Sequence, residues 1–482
     1  MIKHLAPDTG ITKSKIRSAI NSIQRSKVLV GVLLSIVLST VVWFVPLPGL
    51  SPAGKKTLAV TLFTVVWWIF NVIPPAYSTL MMLLGYILLG LAAPEAVFQI
   101  WTLPLMWLII ASFLIAAAVT KSGLAERVAI FFIIRYASSY RSLIVLTYVL
   151  GFVLSFLIPH PFPRALLLMS LMRVIIQKSG MNAVDAASVG LSVFVATTAT
   201  STILLTGDST LNIATVGFSG LSLGWLDWPK YMAVPGILAS LLMMSLHLTL
   251  FRQTGPVHID RSALMVEQQK RGSMTRVEVV TLLWVTLALL LWSTDSLHGI
   301  DPAWVALTVV VGLSIPKIGD VLDAKDLSSG INWPILFFVM GAMAIGTVGK
   351  STGLADWLAG TLMPAVPPEN PYAFAALVGG ATMMIHMVLG SALACISIVA
   401  PPMVHYAASA GWSPLFPALL VYTAVAIHYV FPFQQVIILL GQGETGGYST
   451  RHVLKYGIPL TVVTLIILIP IEVTWWIILG LI

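Results

Sequence analysis

Uncharged apolar runs, each long enough to cross about 30 Å of hydrocarbon, recur along this chain; Val28 to Val45, Leu103 to Thr120 and Ala186 to Gly207 are examples. Only 9% of the 482 residues are charged, against about a quarter in a soluble domain. No soluble domain fits between the runs. The chain therefore reads as an all-α polytopic membrane protein. Its N-terminus carries Lys3, Lys13, Lys15, Arg17, Arg25 and Lys27. The apolar run that follows is too long for a signal peptide and lacks a clear small-residue cleavage site. Residues 1–27 are thus expected to be a retained cytoplasmic tail, with the first span and a linker over 28–56.

The chain also repeats itself at long range. Lys121-Ser122-Gly123-Leu124-Ala125-Glu126-Arg127 returns 230 residues later as Gly353-Leu354-Ala355-Asp356-Trp357 after Lys350, and Lys230-Tyr231 with Pro235 returns as Lys455-Tyr456 with Pro459. Two related units are the expected build, a first repeat over 57–252 and a second over 279–482, joined by a cytoplasmic linker over 253–278. Eleven crossings are expected, near 28–46, 57–74, 76–92, 103–120, 186–215, 231–251, 279–296, 303–316, 333–349, 413–440 and 456–478. Apolar stretches at 142–172 and 372–404 are interrupted by Pro, Gly or small polar residues and read as re-entrant hairpins. The crossings 186–215 and 413–440 are likewise broken.

With the N-terminus inside, 21 of the 26 Lys and Arg fall on the cytoplasmic side, as the positive-inside rule asks. Lys55, Lys56, Lys230 and Lys350 fall outside, and Arg164 sits in the first hairpin. Five crossings and one hairpin separate the two Gly-Leu-Ala steps, so the second repeat is expected upside down relative to the first. The net charge of +8 belongs to loops beside anionic headgroups and gives no reason to expect nucleic acid. A single cysteine, Cys395, excludes an intrachain disulfide and a Cys-based metal cluster. It reads as inert packing, and no cofactor or metal is expected.

Charge at membrane depth marks function, because each such residue costs at least about 2.5–3.5 kcal/mol to insert. The first hairpin breaks at Ser155-Phe156-Leu157-Ile158-Pro159-His160-Pro161-Phe162-Pro163-Arg164. Its three prolines cannot continue a helix and leave carbonyls free around His160 and Arg164. A guanidinium fork suits a carboxylate, sulfonate or phosphate; the plainer alternative is that Arg164 pairs with Asp208 to hold the fold. His160 is a substrate donor, a proton carrier or a satisfied core histidine. Downstream, Thr197-Thr198-Ala199-Thr200-Ser201-Thr202 leads into Thr206-Gly207-Asp208-Ser209-Thr210-Leu211-Asn212. These hydroxyls either line a site or glue helices together, and Asp208 could accept a proton, balance Arg164 or hold a cation. The second repeat differs. Between Glu369 and Glu444 lie 74 residues without Asp, Glu, Lys or Arg, and they include both of its breaks. Those breaks read His386-Met387-Val388-Leu389-Gly390-Ser391-Ala392-Leu393 and His428-Tyr429-Val430-Phe431-Pro432-Phe433-Gln434-Gln435. His386 and His428 are packing or function, and Gln434 and Gln435 offer amide donors.

This layout resembles the divalent anion/sodium symporter family, solute carrier family 13 in animals. The resemblance covers nearly the whole chain. The residues that carry it are the Gly-Leu-Ala steps, Asp301-Pro302-Ala303, and Gly446-Gly447-Tyr448-Ser449-Thr450 through Lys455-Tyr456-Gly457-Ile458-Pro459. It implies scaffold and transport parts, a homodimer meeting through the scaffold, and carriage of dicarboxylates, tricarboxylates or sulfate. The family's Ser-Asn-Thr signature is degraded: Ser391-Ala392-Leu393 stands ten residues before Pro401, and Pro159-His160-Pro161 stands in the first repeat. Ser155 and Ser391 keep hydroxyls, but both Asn positions that reach sodium and substrate in the family are gone.

The resulting expectation is a secondary transporter of a small anion in the cytoplasmic membrane, working by exchange or proton coupling. In this reading Arg164, and protonated His160, replace a mobile sodium ion. A sodium-coupled symporter is the alternative. Substrate contacts are expected from Pro159, His160, Pro161, Arg164, Thr206, Gly207, Asp208, Ser209, Ser391, Ala392, Pro432 and Gln434, and ion coupling from Ser155, His160, Asp208 and Ser391. An intramembrane enzyme has little support: there is no His-Glu-x-x-His pair or Gly-x-Ser-x-Gly elbow, and Gly190-Leu191-Ser192 alone is a weak hint. A channel would need hydrophilic faces on several spans, whereas polarity here gathers at paired breaks.

Overall fold

A computed structural model of the chain describes residues 13–364 and 366–482; residues 1–12 of the expected tail lie outside the described residues. Every regular element among the described residues is helical. Nine of these helices are long and apolar enough to cross a membrane. Eight coincide with expected crossings, and the ninth, Pro371–Val388, is the first arm of the stretch read as the second hairpin. The crossings expected near 76–92, 303–316 and 413–440 are shorter helices, Pro75–Leu88, Pro302–Ser314 and Leu415–Ala426.

Three boundaries correct the sequence reading. The first helix runs unbroken from Lys13 to Phe44, so the described part of the expected tail is helical. Lys55 and Lys56 lie in the first turns of the helix Pro52–Phe70 rather than in a linker, because Ser51 accepts the Gly54 N–H at 2.9 Å and Pro52 presets the first turn. Between the crossing expected at 103–120 and the hairpin expected at 142–172 stands a further helix, Leu124–Tyr136, which buries Leu124, Ala125, Ala129, Ile130 and Ile133 while Glu126, Arg127 and Arg135 keep it too charged to read as a span. The linker helix Ser262–Arg271 packs on it. Arg127 forks onto Glu278 at 2.7 and 3.0 Å, Arg261 donates to the Ile134 carbonyl at 2.7 Å, and Arg271 pairs with Glu126.

The Gly-Leu-Ala step has a structural reason. Gly123 (φ 77°) ends the helix Pro104–Ser122 and opens Leu124–Tyr136; Gly353 (φ 76°) follows the helix Trp333–Ser351 and opens Leu354–Leu362. A left-handed turn of this kind lets one helix stop and another start at a new angle without a side-chain clash. The same words in the sequence thus encode the same bend.

Two helices sit at the centre. Ala183–Thr200 is buried at nearly every position from Ala187 on, and Leu415–Ala426 is buried at all 12. From Ala187 on neither carries a charge, and the side-chain hydroxyls of Ser192, Thr197, Thr198 and Thr200 donate back to their own helix, so neither has a face that needs water. The helices Tyr140–Val153 and Pro161–Lys178 flank the first, and Pro371–Val388 and Ala392–Ala408 flank the second. The short helix Leu211–Ser219 packs against Ala392–Ala408 and Leu415–Ala426, so the halves interlock. Separately, Pro104–Ser122 packs on Pro302–Ser314, and Pro75–Leu88 on Trp333–Ser351.

The loop at 444–447 presses on the central helix so closely that a Cβ at Gly190 would come within 1.7 Å of the Gly446 carbonyl oxygen. A Cβ at helical Gly380, by contrast, would meet nothing within 4 Å. Gly190→Ala is therefore expected to lose about 1–3 kcal/mol or fail to accumulate as folded protein, while Gly380→Ala holds or gains about 0.5–1 kcal/mol. Thermal unfolding of the detergent-solubilised variants measures both.

Candidate functional site

The first break is built around a buried guanidinium. After the helix Tyr140–Val153 and a single 3-10 turn over Leu154–Phe156, the chain leaves helical geometry and re-enters it at Pro161, where the prolines cost nothing because the first turn's N–H groups have no intrahelical acceptor. His160 caps that helix: its Nδ1 accepts the Phe162 N–H at 3.2 Å. One turn on, Arg164 is 0% exposed. Its Nη2 donates to the Gly207 carbonyl at 2.9 Å and lies 3.4 Å from that of Thr197, while Nε and Nη1 are buried without a hydrogen-bond partner.

Arg164 reaches across to the break of the next helix, which stops at Thr200, forms a 3-10 turn over Leu205–Asp208 and resumes at Leu211. The Ser209 N–H donates to the Pro159 carbonyl at 3.1 Å, so the hairpin tip and the broken helix are joined through backbone. Pro159, His160, Pro161, Arg164, Gly207, Asp208 and Ser209 are thereby gathered in one place. Asp208 makes no direct ion pair with Arg164 within 4.0 Å; its Oδ1 accepts the N–H groups of Thr210 and Leu211, both at 3.1 Å, capping the resumed helix. The Ser209 Oγ and Thr210 Oγ1 are buried and unpartnered.

The polar side chains around this cluster have internal tasks. Thr197, Thr198, Thr200, Ser201 and Thr202 each donate back to a carbonyl of their own helix at 2.7–2.9 Å, so this hydroxyl run is bound to its backbone. Ser155 does the same onto the Phe152 carbonyl at 2.6 Å. Thr206 Oγ1 accepts from the Trp225 indole at 3.2 Å. Asn212 saturates the break: Nδ2 donates to the carbonyls of Ser201, Leu204 and Leu205 at 2.9, 2.8 and 3.3 Å, and Oδ1 accepts the Tyr422 hydroxyl at 2.6 Å.

His160 also faces outward. Its half-buried ring lies 5.4 Å from that of Phe113, and both line a cleft of about 330 Å³ with Phe162, Pro163, Ser329, Asn332 and Pro334. The far wall of this cleft thus comes from the second half of the chain.

The second break is bracketed by amides. Gln434 Oε1 accepts the N–H groups of Val430 and Phe431 at 2.8 Å each, and its Nε2 donates to the His386 carbonyl at 3.2 Å. The His386 ring returns a contact to the Gln434 carbonyl at 3.2 Å. Gln435 donates to the carbonyls of Val425 and Ala426 at 2.7 and 3.3 Å. The amide groups expected as substrate donors are therefore committed to backbone, because two helix ends at this depth have no water to satisfy them. Ser391 Oγ caps its helix by accepting the Ala394 N–H at 3.3 Å, beside half-buried Ala392. Pro432 opens a 3-10 turn flanked by Phe431 and Phe433, whose rings stack at 5.4 Å.

No group of three or more His, Cys, Asp or Glu among the described residues is placed to hold a metal ion. One charged residue at depth escaped the sequence reading. Glu472, inside the crossing 456–478, is 1% exposed, and the rule that picked out Arg164 and Asp208 picks it out as well.

A family model described as the sodium:sulfate symporter transmembrane region matches residues 26–482. A membrane protein of Cupriavidus necator is 25% identical over 478 residues, covering 92% of each chain. The chloroplast dicarboxylate transporters 1 of Spinacia oleracea and Arabidopsis thaliana are each 27% identical over 350 residues, 69% of this chain; the match spans 60% and 62% of those proteins, less than two thirds of either. Among solved structures, the Alcanivorax borkumensis YdaH transporter, described as having an unusual topology, shares the fold with a TM-score of 0.50 at 15% identity, over 94% of this chain and 98% of that one. With a family model matching from residue 26 to the last residue, the chain belongs to the sodium:sulfate symporter family of multi-pass membrane transporters.

Proposed function

We propose that this protein carries a small di- or tricarboxylate, with sulfate or sulfonate as the neighbouring substrate class, across the cytoplasmic membrane by alternating access. The observation that carries the reading is Arg164: a guanidinium at membrane depth, 0% exposed, with Nε and Nη1 unpartnered and no carboxylate in ion-pair range among the described residues. A buried guanidinium with two unpartnered nitrogens and no carboxylate in direct contact is costly, and an anionic substrate offering two oxygens repairs that cost. The Ser209 and Thr210 hydroxyls next to the same break supply further donors. The names of the chloroplast relatives support a dicarboxylate.

In this reading Pro159, His160, Pro161, Thr206, Gly207, Asp208 and Ser209 shape the charged end of the site. Ser391, Ala392, Pro432 and the Gln434 backbone close over the other end. The two repeats are inverted, with the N-terminus in the cytoplasm. The hairpins and broken helices move as one body against the pairs Pro104–Ser122 with Pro302–Ser314 and Pro75–Leu88 with Trp333–Ser351, and the latter body mediates a homodimer. Arg164 stands in for a mobile sodium ion, and Ser155, His160, Asp208 and Ser391 are the candidate coupling groups within the breaks themselves. Transport is exchange or proton-linked.

Arg164→Ala is expected to raise the apparent Kd for labelled malate by at least about 30-fold in purified protein, the cost of truncating one side of a buried charged pair. Arg164→Lys keeps the charge without the fork and falls between. Binding unchanged in Arg164→Ala would remove the substrate role. A thermal-shift series with malate, citrate, sulfate and a sulfonate is expected to show stabilisation that does not depend on sodium. Uptake into proteoliposomes that strictly requires a sodium gradient would overturn the coupling half of this proposal.

A further inference from the structure

We propose that Glu472, held by Thr423, is the residue that takes up and releases a proton in step with transport, so that the second repeat contributes an ion-coupling group outside both of its breaks. The inference rests on the transporter reading above and specifies its coupling ion.

Glu472 is 1% exposed within the helix Ile469–Ile478. Its Oε1 accepts the Thr423 hydroxyl at 3.0 Å, while Oε2 is buried with no hydrogen-bond partner. A carboxyl retained at this depth for structure alone would be expected to have a basic partner. Among the described residues no Lys, Arg or His nitrogen lies within 4.0 Å of it. The ionisable groups on the elements packed against it are Tyr422 on Leu415–Ala426, Tyr372 and His386 on Pro371–Val388, and Asp227, Lys230, Tyr231 and His247 on Asp227–Leu250. Tyr422 spends its hydroxyl on Asn212, and Tyr372 contacts Thr474 at 3.0 Å. The free oxygen is thus open to one small ion, and a proton fits a site with a single neutral donor and no second carboxylate.

The placement gives such a proton mechanical reach. Thr423 stands on the wholly buried helix that runs into the second break. Its neighbour Tyr422 bonds the Asn212 amide, which pins the carbonyls of the first break. Immediately before the Glu472 helix the chain makes a π-helical turn, Thr464–Leu468. Such turns are a common mark of functional positions, because they open one ring of the backbone ladder. Occupancy at Glu472 is therefore read by one helix that touches both breaks.

The test uses the full chain in sodium-free proteoliposomes containing a pH-sensitive dye, with membrane potential clamped. Malate added outside should acidify the lumen in the wild type. Glu472→Gln should lose that acidification while still exchanging labelled malate for internal malate. Malate transport by the wild type without proton movement would overturn the inference and leave the transporter reading standing, as would Glu472→Gln acidifying like the wild type. Absence of transport for any di- or tricarboxylate, sulfate or sulfonate would instead overturn the transporter reading, and this inference with it. Should Glu472→Gln fail to fold, Thr423→Val takes its place: a shifted pH profile of malate uptake supports the proposal, and an unchanged one overturns it.

Discussion

A helix interrupted at membrane depth exposes carbonyls and N–H groups that lipid cannot solvate, and each one left bare costs more than a typical tertiary contact returns. Among the described residues there are two such interruptions beyond the hairpin tips, and in both an amide side chain closes the gap. Asn212 collects three carbonyls in the first, while Gln434 and Gln435 divide the N–H groups and carbonyls of the second. Without these amides neither central helix could stop where it does. The candidate site exists because it is cheaper to bind these loose ends with protein than to leave them to the bilayer.

The two halves solve one backbone problem with different side chains. Gly123 and Gly353 adopt nearly the same φ, and buried central helices lead into both breaks. The first break is then crossed by Arg164 reaching the Gly207 carbonyl; the second is crossed by the His386 and Gln434 pair, which brings no fixed charge. Similar architecture therefore places a buried guanidinium at one break and only neutral and aromatic side chains at the other. A substrate with one ionised end and one smaller or less charged end fits that polarity.

Much of this was legible in the sequence because membrane insertion leaves few choices. Uncharged runs locate helices, prolines and glycines locate their ends, and the repeated Gly-Leu-Ala step marks the same bend twice. What stayed hidden depends on partners distant in sequence. Arg164 bonds residues 33 and 43 positions away, and nothing local tells whether it will meet Asp208 or a carbonyl. The run from Thr197 to Thr202 looks like a binding surface, yet each of its hydroxyls folds back on its own helix, an outcome spacing alone does not reveal. Gln434 looks free for the same reason. Leu124–Tyr136 escaped because a helix lying along a charged linker has too many Lys, Arg and Glu neighbours to resemble a span. Glu472 escaped because it lies inside an otherwise apolar crossing, beyond the long neutral stretch that drew notice.

The Asn212–Tyr422 bond links residues 210 positions apart. At about 5–20 residues per second of synthesis, Tyr422 leaves the ribosome roughly 10–40 s after Asn212. For that interval the Oδ1 of Asn212 lacks the Tyr422 hydroxyl that it accepts in the finished fold. Biogenesis thus has a long incomplete stage, and the broken helix becomes locked only when its counterpart arrives. A ribosome stalled between Asn212 and Tyr422 would leave a first half that is inserted yet unfinished, and a natural substrate for membrane quality control.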